Sequence, residues 1–491
     1  MTRVVVVGAG PAGLAAASAA LDAGADVTIL DAAPVLGGQF WRHRPGGSAG
    51  SGGDAGQARL QHGWPRFTAL RRALTASARC RIVTGAQVWA IDKDGGQMRL
   101  HLAVGEADHP SRSMESLQPQ ALVLATGAHD HTLPFPGWDL PGVVTGGAAQ
   151  ALAKAEGLAV GERVVVAGAG PFLLPVAASL AAVGARVLGV HEASRPRALA
   201  AGWSRAAGWG QAGIMPRKLG ELAGYAGRQL RGRIPYRLGT GVVAARGDGR
   251  LEEITVAGLD GSWAPVPGTE RVIACDALAV SHGFTPRLEL AIAAGCALTA
   301  GGPFGRFVTV DADQRTSEPG VYAAGEITGI GGADAALSEG ALAGWIAGGG
   351  APDDPRARAA RRGVTRYQAF SRGLTAAHGI RPGWRRWLND ATVICRCEEV
   401  SYGALTGAAT ATASRGLRSL KLVTRAGLGP CQGRICGRTV EALLTGDGAR
   451  PFLDGVLPDR RPMAALVRFA ELAQSPIRPQ SPIQPHERPE P

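Results

Sequence analysis

Aromatic side chains are scarce in this 491-residue sequence, at 5%, while glycine alone supplies 72 positions. A core so poor in rings must be closed by small side chains and close backbone contacts. Cysteine is rarer still, with seven residues. No uninterrupted apolar run is long enough to span a bilayer. The opening, MTRVVVVGAG, breaks its apolar run after four valines, which is not the pattern of a secretory signal. These absences predict a cytoplasmic protein with no membrane span. In that compartment thiols stay reduced, so clustered cysteines favour metal or redox chemistry over disulfides. The length suffices for two or three domains with large cores.

Acidic residues are in deficit, and the formal net charge is +12. Much of that excess lies in residues 356–390, where nine arginines face one aspartate. No nucleic-acid motif accompanies the charge, so a solvated linker or interdomain contact over 351–390 is the expectation, and no nucleic acid is expected as partner. A docking site for an acidic protein surface is its functional counterpart. The end of the chain is equally biased. Residues 461–491, closing in QSPIRPQSPIQPHERPEP, read as a disordered tail that cannot form a core.

What is present begins at residue 3. RVVVVGAGPAGLAAASAALDAGADVTILDA reads as a buried strand at Val4–Val7, a glycine turn, a helix over 14–23 and a second strand. Gly8, Gly10 and Gly13 form GxGxxG in that context, and Asp31 closes the second strand at the distance of a ribose ligand. The helix N-terminus offers amides and a positive dipole end to a pyrophosphate. Residues 163–193 repeat the pattern with Gly168, Gly170 and Glu192, but Leu173 takes the third glycine's place. A bulky residue there should push helix and strand apart. NAD(P), ATP or no ligand all remain open for this second fold. Two later stretches complete a split first domain: ALVLATGAH, ending in Thr126-Gly127, and PGVYAAGEITGIGG, carrying Gly325-Glu326.

These segments resemble the flavoprotein disulfide-reductase superfamily, with its glutathione reductase-like fold. The resemblance implies an α/β protein with two Rossmann-like units, the second inserted in the first. It places an FAD-binding domain at 1–145 and 281–350 and a nucleotide-binding domain of NAD(P) type at 146–280. Thr126, Gly127, Gly325 and Glu326 would then contact FAD, Glu326 standing where an aspartate is usual. In GGQFWR, residues 37–42, Gly38 lets backbone approach the flavin, and Gln39 and Arg42 are candidates to lie near its ring. The following RPGGSAGSGGDAGQ reads as a flexible loop. PFPGWDLPGV, residues 134–143, reads as the interdomain crossover, flanked by His129 and His131 in structural roles. Cys80, Cys275 and Cys296 read as buried small residues. The superfamily's redox disulfide is missing: there is no CxxxxC near 37–46 and no CxxC in the inserted unit. Electrons on the flavin need another exit, and no catalytic acid–base set stands out.

The remaining four cysteines, Cys395, Cys397, Cys431 and Cys436, lie together at 391–460. Four thiolates suit zinc or an iron–sulfur cluster, and Cys-x-Cys fits a zinc knuckle poorly. The glycine- and arginine-rich KLVTRAGLGPCQGRICG suits cluster sulfides. The spacing resembles the small helical [2Fe-2S] domain of bacterioferritin-associated ferredoxin. With GAGPAGLAAA, GGQFWR, LATGAHD, PFPGWDLPGV, HGFTPRLEL and RTSEPGVYAAGE, it resembles the FAD-binding subunits of hydrogen cyanide synthase, opine oxidases and D-hydroxyproline dehydrogenases, and part of the alpha subunit of heterotetrameric sarcosine oxidase. That resemblance implies an electron-transfer subunit containing FAD and a [2Fe-2S] cluster. Its partner would be an FAD subunit of D-amino-acid-oxidase type that oxidises an amine or amino acid. The second partner would be a small ferredoxin-like subunit. A self-contained NAD(P)H:acceptor reductase and a scaffold subunit with structural zinc are the alternatives.

Overall fold

The structure, a computed structural model, describes residues 2–45, 60–107, 109, 111–207, 232–299, 305–414, 416–445, 460–461 and 463–474, with isolated positions between 220 and 227. Most of the glycine- and serine-rich loop after Arg44 lies outside them.

Five parallel strands form the first sheet, in the order Val321–Ala323, Ala121–Leu124, Arg3–Val7, Asp26–Asp31, Cys80–Thr84. Its central strands Arg3–Val7 and Ala121–Leu124 are near-continuous runs of Val, Leu and Ala because both faces are covered. One cover is the helix Pro11–Asp22, which opens at Pro11 because Gly10 is its N-cap. It packs on the helix Gly332–Ala347 almost backbone to backbone. A Cβ on Gly340 would come within 2.0 Å of the Ala12 carbonyl oxygen, and one on Gly344 within 1.9 Å of that of Ala16. This contact shows how a chain with few rings closes its core.

The second sheet lies in sequence between strands of the first. Its order is Tyr236–Leu238, Arg186–Glu192, Arg163–Gly168, Ala277–Ser281, Val143–Thr145, again parallel. Each parallel sheet has its own three-stranded antiparallel companion: Ala86–Asp94, Gln97–Val104 and Ser113–Leu117 for the first; Thr240–Arg246, Glu253–Gly258 and Arg271–Ala274 for the second. The chain crosses between the units twice, and the two crossings pair as short antiparallel strands, Ala128–Asp130 with Phe284–Pro286.

A small third unit follows. The hairpin Val393–Cys395/Val400–Ser401 and the helices Tyr402–Ala411, Leu417–Thr424 and Gly437–Thr445 close on Ile394, Leu405, Leu417, Leu420 and Val440. It is seated on both larger units. The Trp138 indole donates to the Val393 carbonyl at 2.6 Å, and Arg306 pairs with Glu441 at 2.8 Å.

One expectation is decided between its two readings and one needs correction. Of a solvated linker or an interdomain contact over 351–390, the structure has the contact: Pro355–His378 is one 24-residue helix, capped by the Asp354 carboxylate on the Arg356 amide. Its buried residues fall on two faces: Ala357 and Val364 pack against Gly332–Ala347, whereas Phe370 and Ala377, about 120° round the helix, pack against Pro196–Ala207. The arginine count hid both faces. A 3₁₀ turn, Pro382–Trp387, then buries Trp384 and Trp387. Not all of 461–491 is a loose tail. The Ala464 amide donates to the Trp89 carbonyl at 2.7 Å, and Glu471 pairs with Arg112 at 3.5 Å. The Ser-Pro-Ile repeats, within 475–491, lie outside the described residues.

Candidate functional site: a nucleotide cradle and a four-cysteine loop

The three glycines of the first turn face three different constraints. Gly8 has φ +103°, and a Cβ there would lie 2.3 Å from the Ala125 carbonyl oxygen. A Cβ on Gly13 would lie 1.7 Å from the Gly8 oxygen, so this glycine allows helix to meet strand. Gly10 is different. Its φ is −75°, and a Cβ would meet only the Gly38 Cα, at 4.0 Å. The space beyond Gly10 is open, at the N-terminal end of a helix, where backbone amides favour an anion.

The other candidates converge on this turn from distant parts of the chain. Gly38, with φ +58°, backs against Gly10, and the Gly37 amide donates to the Ala9 carbonyl at 2.8 Å. Asp31 accepts from the Ala9 amide at 2.5 Å and the Ala33 amide at 2.7 Å. Burial raises its carboxyl, opposed by those amides and by Arg287 and Arg42 nearby. Arg42 thus lies within electrostatic reach of Asp31. Gln39 is exposed. Thr126 Oγ1 donates to the Arg287 carbonyl at 2.8 Å, and Gly127 has φ +70° with nothing crowding it. Gly325, at φ +84°, sits over Ala12. Glu326 Oε1 accepts from the Gly332 amide at 2.8 Å, whereas its Oε2 is enclosed with no partner. Room for a group at a helix N-terminus and a buried acceptor without a donor fit a nucleotide bearing a pyrophosphate and a polyhydroxyl chain, as FAD does.

Sequence reasoning missed two residues of this region. Glu339, buried in the helix behind Gly325, accepts from the Gly325 amide and the Thr328 hydroxyl, both at 2.8 Å, and so holds the turn that presents Glu326. Lys154, from the inserted unit, donates to the Phe40 carbonyl at 3.0 Å, and burial lowers it to about 8. Neither lies in a motif.

Burial, the largest influence on each, raises Glu326 and Glu339 to about 7. Their folded values stand above the ordinary 4.5, so the folded chain holds protons that the unfolded chain releases. The stability this represents is complete below about pH 4.5 and is lost as pH rises through about 7. The flavin-free chain is expected to be weaker at pH 8 than at pH 5. Glu339→Gln should recover up to roughly 3 kcal/mol of that difference, at 1.36 kcal/mol per pKa unit. Urea midpoints at the two pH values measure it, and an identical difference in parent and variant would contradict the assignment.

The second turn is built differently. Gly168 keeps its close approach, with a Cβ falling 1.7 Å from the Ser281 carbonyl oxygen. Leu173 is accommodated by delay: the chain runs through tight turns from Gly170 to Leu174, and the helix opens only at Leu173. Glu192 is fully buried. Its Oε2 accepts from the Gly170 amide at 2.9 Å and the Tyr236 hydroxyl at 3.3 Å, its Oε1 from the Ser194 amide at 3.0 Å. His378, from the end of the long arginine-rich helix, stands 3.5 Å from Oε1. The place of a ribose ligand is taken up by internal partners.

Of the isolated cysteines, Cys275 and Cys296 are buried, while Cys80 is half-buried on the edge strand of the first sheet.

The four remaining thiols come together as two contacting pairs, Cys395 with Cys436 and Cys397 with Cys431. The Cys436 thiol is pushed up, first by contact with Cys395. Among the described residues no group of three or more His, Cys, Asp or Glu closes on a single-ion site. A [2Fe-2S] cluster asks for two thiolates on each of two irons, which is what two pairs supply. The surrounding loop is dense in left-handed backbone, at Glu399, Arg425, Gly427, Gln432 and Gly433, and this turns amides inward. One of them, from Gly427, points at Cys395 Sγ at 3.5 Å.

Compared with known families, residues 2–208 and 212–340 match the pyridine nucleotide-disulphide oxidoreductase model. The chain belongs to that family. Residues 393–445 match the BFD-like [2Fe-2S] binding domain. FAD and a [2Fe-2S] cluster are accordingly this family member's cofactors. It is 32% identical to hydrogen cyanide synthase subunit HcnB of Pseudomonas aeruginosa, over 88% of this chain and 90% of that one. Against an opine oxidase subunit of Agrobacterium tumefaciens the identity is 31%, over 96% of this chain and 92% of that one. The solved L-proline dehydrogenase from P. horikoshii has the same fold, with a TM-score of 0.62 at 18% identity, over 96% of this chain and 79% of that one. Among the described residues no helix is long and apolar enough to cross a membrane.

Proposed function

We propose that this chain is the electron-transfer subunit of an amine or amino-acid dehydrogenase. A partner subunit with its own FAD, of D-amino-acid-oxidase type, would oxidise the substrate at a C–N bond, and this chain would pass the electrons to an acceptor. One observation carries the reading: the family's redox disulfide is absent, and four thiols paired for a cluster sit instead on a unit bonded to His129 and Glu289 beside the flavin cradle. When bound, FAD exchanges two electrons and the cluster one, so together they convert between the two modes.

The chain's own residues have simple tasks in this scheme. Gly8 and Gly13 bring strand, turn and helix close, and Gly10 leaves room for the pyrophosphate. Glu326 offers Oε2 to a hydroxyl, and Glu339 holds the turn that carries it. The four cysteines supply thiolates, and the surrounding amides favour their charge. Support for the hetero-oligomeric setting comes from relatives that are named as subunits.

The second sheet favours one other reading, a self-contained NAD(P)H:acceptor reductase. Against it stands Glu192, buried and already saturated. Steady-state turnover separates the two. The isolated, fully flavinated chain is expected to oxidise no sarcosine, proline isomer or opine, and NADH should not bleach its flavin. Joined to its partner subunit it should reduce a dye or quinone, with slower association at higher salt. Robust amine oxidation by the chain alone would overturn the proposal, and rapid bleaching by NADH would favour the reductase.

A further inference from the structure

Arg434 lies between two of the paired cysteines, yet its side chain leaves their unit. Its Nε donates to Glu289 Oε1 at 2.7 Å. Arg461, from the returning end of the chain, donates to the same oxygen at 2.9 Å and to the Gln432 carbonyl at 2.9 Å. Glu289 is 6% exposed, so this carboxylate is buried; of its two cations the Arg461 side chain is 7% exposed and that of Arg434 19%. The Arg434 carbonyl in turn accepts from His129 Nε2 at 3.1 Å.

Both anchors lead back to one turn of the flavin cradle. His129 follows Gly127 by two residues on the crossing strand Ala128–Asp130. Glu289 follows Arg287 by two residues, and Arg287 is bonded to that turn twice. Its amide donates to the Gly127 carbonyl at 2.9 Å, and its carbonyl accepts from the Thr126 hydroxyl at 2.8 Å. One crossing strand, and the segment Arg287–Glu289 that follows the other, thus lead from Thr126-Gly127 to the backbone and the side chain of a single residue in the cysteine loop. A buried carboxylate shared by two guanidiniums is costly to break and fixed in geometry. Surface pairing of two units would not require it.

We propose that Arg434, held by Glu289 and His129, is the positioning residue that fixes the Cys431–Cys436 loop against the Thr126–Gly127 turn, and so sets the electron path between the chain's flavin and its cluster. This rests on the electron-transfer reading above.

The test uses the full chain carrying Glu289→Gln, which leaves the cysteine loop's own sequence untouched, with Arg434→Lys as the conservative variant. Amide hydrogen exchange is measured over 127–131 and 429–437, with and without iron, so that a variant that sheds its cluster is still read. Flash reduction of the flavin then gives the rate at which the electron reaches the cluster. In Glu289→Gln, exchange in both segments should rise about tenfold, as expected when the two guanidinium bonds to this oxygen lose their charged acceptor. The electron rate should fall severalfold while FAD content stays unchanged. Arg434→Lys should lie between parent and Gln variant. Unchanged protection overturns the proposal, and so does lost protection with an unchanged electron rate. Parent protein in which no electron passes between the centres overturns the functional reading itself. The exchange difference then still decides whether Arg434 seats the loop.

Discussion

Replacing Gly10 with valine is expected to give a folded chain without flavin. The reason lies in the contrast among the turn's glycines. A Cβ at Gly13 would enter the Gly8 carbonyl oxygen at 1.7 Å, and Gly8 is left-handed, so changes there break strand–helix packing. Gly10 has an ordinary φ and open space beyond its Cα, with the Gly38 Cα 4.0 Å away. The added side chain therefore meets little protein. It meets whatever lies over the helix N-terminus. A clash of about 3 kcal/mol lowers affinity roughly a hundredfold. Purified Gly10→Val should thus release no FAD on denaturation and show only the cluster's visible absorption, with a thermal midpoint near that of the flavin-free parent, while Gly13→Ala should fail to fold. A yellow Gly10→Val chain with stoichiometric FAD would mean the pyrophosphate lies elsewhere.

Features whose reasons are local were legible in the sequence. The glycine turn is a matter of backbone sterics within ten residues, and Asp31 reports itself by its place at a strand's end. The four cysteines were legible because ligand spacing is a property of a short loop. Features whose reasons are tertiary were not. Glu339 is one carboxylate in an alanine-rich helix, and only the approach of Gly325 and Thr328 gives it a task. Ala464 pairs with Trp89, and Arg434 with Glu289, across separations that no periodicity reports. The helix Pro355–His378 was obscured differently, because its buried residues serve two faces, each matched to a different helix, and leave no single stripe to read among the arginines. At the second turn, Leu173 announced a departure, but not that the helix would open late or that His378 would reach Glu192 from a helix almost two hundred residues on.

The cysteine variant carries the other large effect. Cys431→Ala breaks the pair with Cys397 and leaves one iron a ligand short, so both irons should be lost. FAD should stay, because Ile394, Leu405, Leu420 and Val440 form a core separate from the one beneath the first sheet. The consequence is countable in electrons. Anaerobic reductive titration of the isolated parent chain, followed by its visible spectrum, is predicted to take up about three electrons per chain, two for the flavin and one for the cluster. The variant is predicted to take up about two. A parent chain that accepts only two, with zinc in place of iron in protein made with iron freely available, would contradict the account that the four thiols replace the missing disulfide as the flavin's electron outlet.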